Sequence, residues 1–282
     1  MRTITLEEYA SLSRPECEWV VQGMIPKPGF VILAGPPKSG KSYLAIQLAL
    51  AIAKGQEFLG HPTEKHTVLY LQFDTSELVW RDRLQKLREA GVDITGDVRM
   101  IDPAFQPTWV NIQRQDTQVA LSAAIQESAA DVVVIDVLRE IHTADENDST
   151  QMKVVCDILR SLTYGRTVVL IHHSRKLTFM DERDPVQVHR GSSYITGMAD
   201  AVWLLDRKHL YIKSRFDKDM TIELRQGTSH LFYRVTPVAH SPVVQPVVGL
   251  PPLPTSVLVP RPVESPSPAL SLPMSARLRA YE

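Results

Sequence analysis

The chain has 282 residues, of which 44% are hydrophobic and 22% are charged, and its formal net charge is −1. This composition is typical of a globular protein, and the near-neutral charge excludes a global basic field that would draw the chain nonspecifically to nucleic acid. The N-terminus has no apolar run typical of a signal peptide, and no stretch reaches the roughly 18 apolar residues of a membrane span. With only two distant cysteines, Cys17 and Cys156, the sequence predicts a cytoplasmic protein without a membrane partner.

The chain divides into three regions by composition. Residues 1–29 are predicted to be a lead-in that packs on the core, and residues 30–235 alternate strand-like and helix-like patterns. Residues 236–282 hold 11 of the 20 prolines, which remove backbone donors and fix φ. We expect this Pro-rich tail to be disordered, either as a plain solvated segment or as a docking tail for a protein partner.

The middle region predicts an α/β fold with a mostly parallel, twisted sheet flanked by helices. Near-continuous apolar runs, typical of strands buried on both faces, lie at 30–34, 68–73, 132–135, 168–171 and 201–205. Helical spacing of apolar residues lies at 43–53, 77–90 and 149–163, the last with Ser149 or Thr150 as the N-cap. The segments 210–214, 221–224 and 231–235 have no helix between them, which predicts antiparallel edge strands.

A phosphate-binding loop follows the first of these strands. Residues 35–42 read GPPKSGKS and match G-x-x-x-x-G-K-[ST], with an apolar helix directly after them. The glycines let backbone N–H groups curl around an anion, and the helix N-terminus adds its dipole. Lys41 would neutralise the β- and γ-phosphates of ATP. The predicted nucleotide-binding residues are Gly35, Pro36, Pro37, Lys38, Ser39, Gly40, Lys41, Ser42 and Tyr43.

A Mg²⁺ site is predicted from Ser42 together with Asp136, which ends the buried strand-like run VVVID. Ligand chemistry in open α/β sheets takes place at the carboxyl ends of strands, so both groups would reach the same edge. Hydrolysis also needs a carboxylate that orients water. Asp74 follows the run at 68–73 and is the first candidate, and Glu77 is the second because it could instead be a first-turn helix acid.

Two further groups of basic and titratable residues are candidates for catalysis. His172 and His173 end the run at 168–171, where neighbouring side chains point to opposite faces, so one histidine would be structural and the other would sense the γ-phosphate. Lys213 and Arg215 point to the same side of a late strand. This pair is either a solvated surface pair or an arginine finger that acts in trans on the site of a neighbouring subunit.

Six segments of the chain resemble the motifs of RecA-like P-loop ATPases. In order along the chain they are GPPKSGKS, VLYLQFD, VVVIDVLREI, VVLIHHSRK, HRGSS and IKSR. The resemblance is to the AAA-type ATPase domain of the plasmid RepA helicases and, more distantly, the DnaB-like helicases, and it covers about residues 17–235. It implies a RecA-like fold, ATP with Mg²⁺ and a homo-oligomer, with a hexameric ring as one arrangement. It also implies single-stranded DNA as a partner, with segment 178–189 either a DNA-facing loop or a plain surface loop.

Two functions remain open from the sequence. The first is an ATP-hydrolysing motor or switch in DNA replication or maintenance, as in RepA-type helicases, with catalytic residues Lys41, Asp74, His172, His173 and Arg215. The second is a nucleotide-gated regulatory or assembly ATPase without helicase activity. Asp74 favours the second, because the family usually has the longer glutamate at this position.

Overall fold

The computed structural model describes residues 3–13, 16–103, 110–174, 193–206, 208–226 and 233–235. Its helices are α1 Leu6–Ser11, α2 Lys41–Lys54, α3 Glu77–Glu89, α4 Gln115–Glu127, α5 Ser149–Leu162 and α6 Ser193–Gly197, with a 3₁₀ turn at Leu138–Ile141. Its strands are β1 Glu18–Val21, β2 Ile25–Lys27, β3 Phe30–Gly35, β4 Val68–Gln72, β5 Val98–Arg99, β6 Val132–Asp136, β7 Thr167–His173, β8 Ala201–Leu205, β9 His209–Ser214, β10 Met220–Gln226 and β11 Tyr233–Val235.

The main sheet has nine strands in the order β11-β10-β9-β8-β3-β7-β6-β4-β5. The six strands from β8 to β5 are parallel to their neighbours, and β9, β10 and β11 continue the sheet with antiparallel pairings. This arrangement confirms the predicted mostly parallel sheet with antiparallel edge strands. Because the parallel strands point the same way, their carboxyl ends form one edge, here called the upper edge, and their starts form the lower edge.

Helices cover both faces of the sheet, as the continuous apolar runs of the strands indicate. Along β3, Val31 and Leu33 join one core layer, whereas Ile32 and Ala34 join the other. The first layer contains α2 and α3, and the second contains α4 and α5. Hairpin β1–β2 adds Val20, Val21, Met24 and Ile25 to the first layer, and each of these residues is fully buried.

The start of α5 corrects one prediction. The N-cap is Asp148 rather than Ser149 or Thr150, and its carboxylate accepts hydrogen bonds from the backbone N–H groups of Thr150 and Gln151. Asp competes well with Ser for this position because its carboxylate also interacts favourably with the helix dipole. The acidic residues just before the helix were the indication of this N-cap in the sequence.

Elements outside the predicted set are short or weakly patterned. Helix α4 buries only Leu121 and Ile125, and strand β5 has two residues. Helix α1 has no buried residue and is held at its start by a capping box between Thr5 and Glu8. Among the described residues, no helix is both long and apolar enough to cross a lipid bilayer.

Candidate nucleotide-binding site

The upper edge of the sheet brings the predicted site residues together. Strand β3 ends at Gly35 and leads through the phosphate loop into α2, and its end pairs with the end of β7, where Gly35 lies opposite His173. Strand β6 ends at Asp136, opposite Gln72 of β4. The loop, the acidic strand end and the histidines therefore lie on neighbouring strands of one edge.

The loop has no room for a side chain at its first glycine. A Cβ on Gly35 would lie 2.7 Å from the carbonyl oxygen of Leu205 and 2.8 Å from Ser39 Oγ. Gly40 adopts a left-handed conformation with φ of 97° where α2 begins, and Lys38 also has a positive φ of 62°. A positive φ at residues close to a helix start is the backbone geometry that aims N–H groups inward at an anion.

Lys41 points back into the loop and is only 6% exposed. Its ammonium Nζ donates to the carbonyl oxygens of Gly35 at 2.9 Å and Pro36 at 3.0 Å. Burial lowers the pKa of Lys41 to about 8, against the attraction of Asp136 and Asp74, which raises it. A buried ammonium with no bonded carboxylate in the described part of the chain is suited to the charge of a polyphosphate.

Asp136 lies within electrostatic reach of Lys41 and is 2% exposed. Its carboxylate accepts hydrogen bonds from the hydroxyl of Ser42 and from the hydroxyl of Tyr70, the latter at 2.9 Å. Burial raises the pKa of Asp136, and the two hydroxyl donors act in the opposite direction. The hydroxyl and the carboxylate predicted to hold Mg²⁺ are thus in direct contact.

Asp74 and Glu77, the two candidates for water activation, differ in their surroundings. Asp74 is exposed just beyond β4, and its charge raises the pKa values of Lys41, Asp136 and Tyr70, so it lies within electrostatic reach of all three. Glu77 begins α3, and its carboxylate forms an ion pair with Arg81 at 2.6 Å. The geometry favours Asp74, whose role stays a prediction.

The histidines occupy different environments, in agreement with their alternation along β7. His172 is fully buried and lies opposite Ala34, whereas His173 is half-buried and lies opposite Gly35 at the start of the phosphate loop. Ser174 donates its backbone N–H to the carbonyl oxygen of Gly35 at 3.1 Å. The end of β7 is therefore tied to the loop, and His173 has the position that suits a γ-phosphate sensor.

Two residues of this site were missed by the sequence analysis. Tyr70 lies in the apolar run of β4, 1% exposed, and its ring packs against Trp80 of α3 with centroids 5.1 Å apart. Arg83 follows one turn later, with its guanidinium 5.8 Å from the ring centroid of Tyr43 and its charge lowering the pKa of Asp136. In the sequence, the indication for Tyr70 was a single tyrosine placed two residues before the end of an apolar strand.

The structure does not bring Lys213 and Arg215 to this site. Strand β9 runs antiparallel to β8, so Ser214 lies opposite Ala201 at the lower edge of the sheet. Arg215 follows, and its backbone N–H donates to the carbonyl oxygen of Asp200 at 2.9 Å. Arg215 therefore cannot reach the phosphates held by its own chain, and the two interpretations of the pair, a solvated surface pair or a finger that acts in trans, stay predictions.

Some predicted features lie outside the described residues. These are the polar segment 178–189, the run Arg190-Gly191-Ser192 of the HRGSS motif, and the Pro-rich tail at 236–282. The strand predicted at 231–235 is described only over its last three residues, as β11.

The residues present fit ATP and Mg²⁺. The loop at Gly35 is packed too closely for a Cβ, and the buried ammonium of Lys41 places a positive charge against it. Ser42 and Asp136 offer a hydroxyl and a carboxylate, which are the oxygen ligands that Mg²⁺ prefers. An ammonium, a hydroxyl and a carboxylate at a helix start after a parallel strand are the parts of a P-loop nucleotide site.

Comparisons with known proteins agree with this geometry. A sequence model described as AAA domain matches residues 2–178, which is more than half of the chain. The ATPase domain of G40P superposes with a TM-score of 0.58 at 16% identity, covering 82% of this chain and 95% of that one. A KaiC-like protein, PH0186 from Pyrococcus horikoshii OT3, gives 0.50 at 16% identity, covering 77% and 94%.

A third structure, a DnaB-like replicative helicase solved to study its interactions with primase, gives a TM-score of 0.57 at 14% identity. It covers 81% of this chain, which spans only 65% of the helicase chain. At these identities the three structures establish the fold, while the sequence match over residues 2–178 establishes the family. The chain therefore belongs to the AAA domain family, and its fold is that of the RecA-like P-loop ATPases of the DnaB-like group.

Proposed function

We propose that the chain is a Mg²⁺-dependent ATPase, a RecA-like motor or switch that works as a homo-oligomer in DNA replication or maintenance in the cytoplasm. The observation that carries this proposal is the contact between the Ser42 hydroxyl and the buried Asp136 carboxylate beside the ammonium of Lys41. A positive charge that faces a hydroxyl–carboxylate pair has the charges needed by a metal-bound triphosphate. The family match and the shared fold of helicase ATPase domains support the same function.

Each residue has a distinct role in this proposal. The loop N–H groups and Lys41 bind the phosphates, and Lys41 exchanges its two carbonyl partners for phosphate oxygens. Ser42 and Asp136 would hold Mg²⁺, which when bound would neutralise charge on the β- and γ-phosphates. Asp74, exposed at the mouth of the site, orients the attacking water, and His173 detects whether a γ-phosphate is present.

The oligomer enters the proposal through the position of Arg215. This guanidinium lies at the lower edge, and catalysis by it requires the upper edge of another copy. Arginine fingers supplied in trans accelerate phosphoryl transfer by about 10³- to 10⁵-fold, so a chain that depends on one hydrolyses ATP only when assembled. Turnover per chain should therefore rise with protein concentration.

The test is ATP turnover by the purified chain with and without single-stranded DNA, together with light scattering to follow assembly. We expect Mg²⁺-dependent hydrolysis that DNA stimulates, and loss of nucleotide binding or turnover in Lys41→Ala. The control is Lys65→Ala, which removes an exposed lysine elsewhere on the domain and should leave turnover unchanged. Wild-type turnover in Lys41→Ala would refute the site, and hydrolysis indifferent to DNA would refute the DNA role.

A nucleotide-gated regulator is the second candidate, and the short, exposed Asp74 favours it. Aspartate is one methylene shorter than the usual glutamate, so water is aligned less well and turnover is slow. If Asp74→Glu raises turnover well above that of the wild-type chain, slow hydrolysis is a property of this protein and the switch becomes the better description. An equal or lower rate in Asp74→Glu would remove this argument.

A further inference from the structure

Met100 is an exposed methionine at the upper end of the edge strand β5. It directly follows this strand and is 38% exposed. Among the other methionines that the structure describes, Met24, Met152 and Met198 are at most 4% exposed, and Met220 is half-buried. Met100 also lines a cavity of about 800 Å³ beside helix α4. An oxidant dissolved in water therefore reaches its thioether more readily than it reaches the buried methionines.

The sulfur of Met100 accepts a hydrogen bond from a side chain of the first core layer. Trp80 Nε1 donates to Met100 Sδ, and the two atoms are 3.2 Å apart. Because Trp80 is only 6% exposed, water cannot easily replace the sulfur as the acceptor of this N–H group. A thioether sulfur is a weak acceptor. The position of the Trp80 ring therefore depends on the chemical state of this sulfur.

Trp80 connects this sulfur to the candidate nucleotide site. Its ring lies against the ring of Tyr70, with centroids 5.1 Å apart. The Tyr70 hydroxyl in turn donates to Asp136 Oδ2 at 2.9 Å. Asp136 also accepts a hydrogen bond from the hydroxyl of Ser42, its proposed partner in holding Mg²⁺. Three consecutive contacts therefore lead from an exposed sulfur to the carboxylate that would bind the metal.

Oxidation of the sulfur would change the geometry of the first contact. Methionine sulfoxide is polar, and its oxygen is a stronger hydrogen-bond acceptor than a thioether sulfur. An N–H···O bond needs about 2.7–3.2 Å between nitrogen and oxygen. The nitrogen and the sulfur are already only 3.2 Å apart, so the new oxygen does not fit between them. Either the Trp80 ring moves, or its N–H group loses its acceptor.

The molecule has room for this movement. A small cavity of about 100 Å³ is lined by Tyr70, Trp80 and Met100, together with apolar side chains of α2 and α3. The Trp80 ring can shift into it while α3 stays folded, and Tyr70 must follow because packed interiors transmit such shifts. We propose that Met100 is a site of reversible oxidation, through which a peroxide weakens Mg²⁺ binding at the nucleotide site. This inference rests on the proposed function.

The reaction takes place between the thioether and hydrogen peroxide. A lone pair of the sulfur attacks one peroxide oxygen, so that an S–O bond forms and the O–O bond breaks. The sulfur loses two electrons to the peroxide, and the proton of the attacked oxygen passes to the departing hydroxide, which leaves as water. A methionine sulfoxide reductase reverses the change with a dithiol, which supplies two electrons and becomes a disulfide while the oxygen leaves as water.

The test treats the purified chain with hydrogen peroxide and locates the added oxygen by peptide mass spectrometry. We expect Met100 to be oxidised faster than the buried Met24, Met152 and Met198. A fluorescent ATP analogue is then titrated at several Mg²⁺ concentrations. Half-saturation should need about three- to tenfold more Mg²⁺ after oxidation, because a contact that orients the metal ligand is weakened rather than removed. The reductase should restore the original value, and the midpoint of urea unfolding without nucleotide should fall and recover in parallel.

Three variants serve as matched comparisons. Met100→Leu keeps the volume of the side chain but cannot be oxidised, so peroxide should leave its Mg²⁺ dependence unchanged while the other methionines still react. Trp80→Phe keeps an aromatic ring against Tyr70 but has no N–H group, so oxidation of Met100 should no longer alter the Mg²⁺ dependence. Met100→Gln places a polar amide where the sulfoxide would lie and should reproduce the effect without peroxide.

The outcomes separate this inference from the proposed function. If the untreated wild-type chain does not bind the ATP analogue at any Mg²⁺ concentration, both are wrong. If it binds, but Met100 reacts no faster than the buried methionines or its oxidation leaves the Mg²⁺ dependence unchanged, only the inference is wrong. An equal effect of peroxide on Met100→Leu would assign the effect to another residue and would also overturn the inference.

Discussion

Replacing Tyr70 by phenylalanine tests how the carboxylate of Asp136, the proposed Mg²⁺ ligand, is held. The change removes one oxygen, whose hydroxyl donates to Asp136 Oδ2 at 2.9 Å. The ring keeps its packing against Trp80, so no cavity forms. Water cannot easily replace the lost donor, because Tyr70 is only 1% exposed. The buried carboxylate is left with fewer hydrogen bonds.

The magnitude follows from the charge and burial of the acceptor. A hydrogen bond to a charged group contributes about 1.5–3 kcal/mol, so the free energy of unfolding should fall by that amount in Tyr70→Phe. In a domain of more than 200 residues, this corresponds to a decrease in Tm of roughly 3–10 °C. Groups that orient a metal ligand affect metal affinity by about 10- to 100-fold. The Mg²⁺ concentration needed for half-saturation should therefore rise by such a factor in Tyr70→Phe.

Two assays measure these effects separately. Urea unfolding without nucleotide gives the stability, and titration of a fluorescent ATP analogue at several Mg²⁺ concentrations gives the metal dependence. Tyr211→Phe is the control, since Tyr211 lies on the antiparallel strand β9, outside the site, and its hydroxyl is 3.5 Å from Asp206 Oδ2. Wild-type stability and wild-type Mg²⁺ dependence in Tyr70→Phe would refute the reasoning. A stability loss alone would make Tyr70 a packing residue.

Three further predictions concern the loop, a buried histidine and a helix cap. Gly35→Ala should weaken nucleotide binding and lower the free energy of unfolding in urea by about 1–3 kcal/mol, because its Cβ would lie 2.7 Å from the Leu205 carbonyl oxygen. Gly197→Ala is the control, since a Cβ there has no atom within 4 Å among those tested. Burial lowers the pKa of His142 below its ordinary 6.5, so the unfolded chain takes up the proton first and stability present above pH 6.5 is lost as the pH falls. Urea unfolding between pH 7 and 5 should show a shallower loss in His142→Leu, and equal slopes would contradict this. Asp148→Ala should lower the free energy of unfolding by about 1 kcal/mol, because α5 loses its N-cap. An equal decrease in Ser149→Ala would show that Asp148 is not the N-cap.

The parts of the fold with strong periodicity were predictable from the sequence. Strand β8 has the predicted bounds, and α3 differs from its prediction by one residue, because apolar side chains occur there at clear spacing. Helix α4 escaped prediction because it buries only two side chains, Leu121 and Ile125. Its stability comes from packing against the sheet rather than from an apolar stripe that a reader of the sequence would notice.

The residues of the candidate site could be predicted where they belong to a sequence motif with fixed spacing. Lys41, Ser42 and Asp136 were found because the phosphate loop has fixed spacing and the acid ends a buried strand. Tyr70 and Arg83 were not, because they reach the site from β4 and α3, and their contacts with Asp136 and Tyr43 depend on how α3 packs on the sheet.

The uniform direction of the central strands has a consequence for assembly. A molecule with the candidate nucleotide site at the upper edge and Arg215 at the lower edge has a direction, so copies that join these two edges do so head to tail. Such contacts are heterologous, and they either close into a ring or continue as a filament, whereas a two-fold dimer would leave both ends unmatched. Every copy would then sense the occupancy of only one neighbour, and hydrolysis could pass around the assembly in one rotational sense.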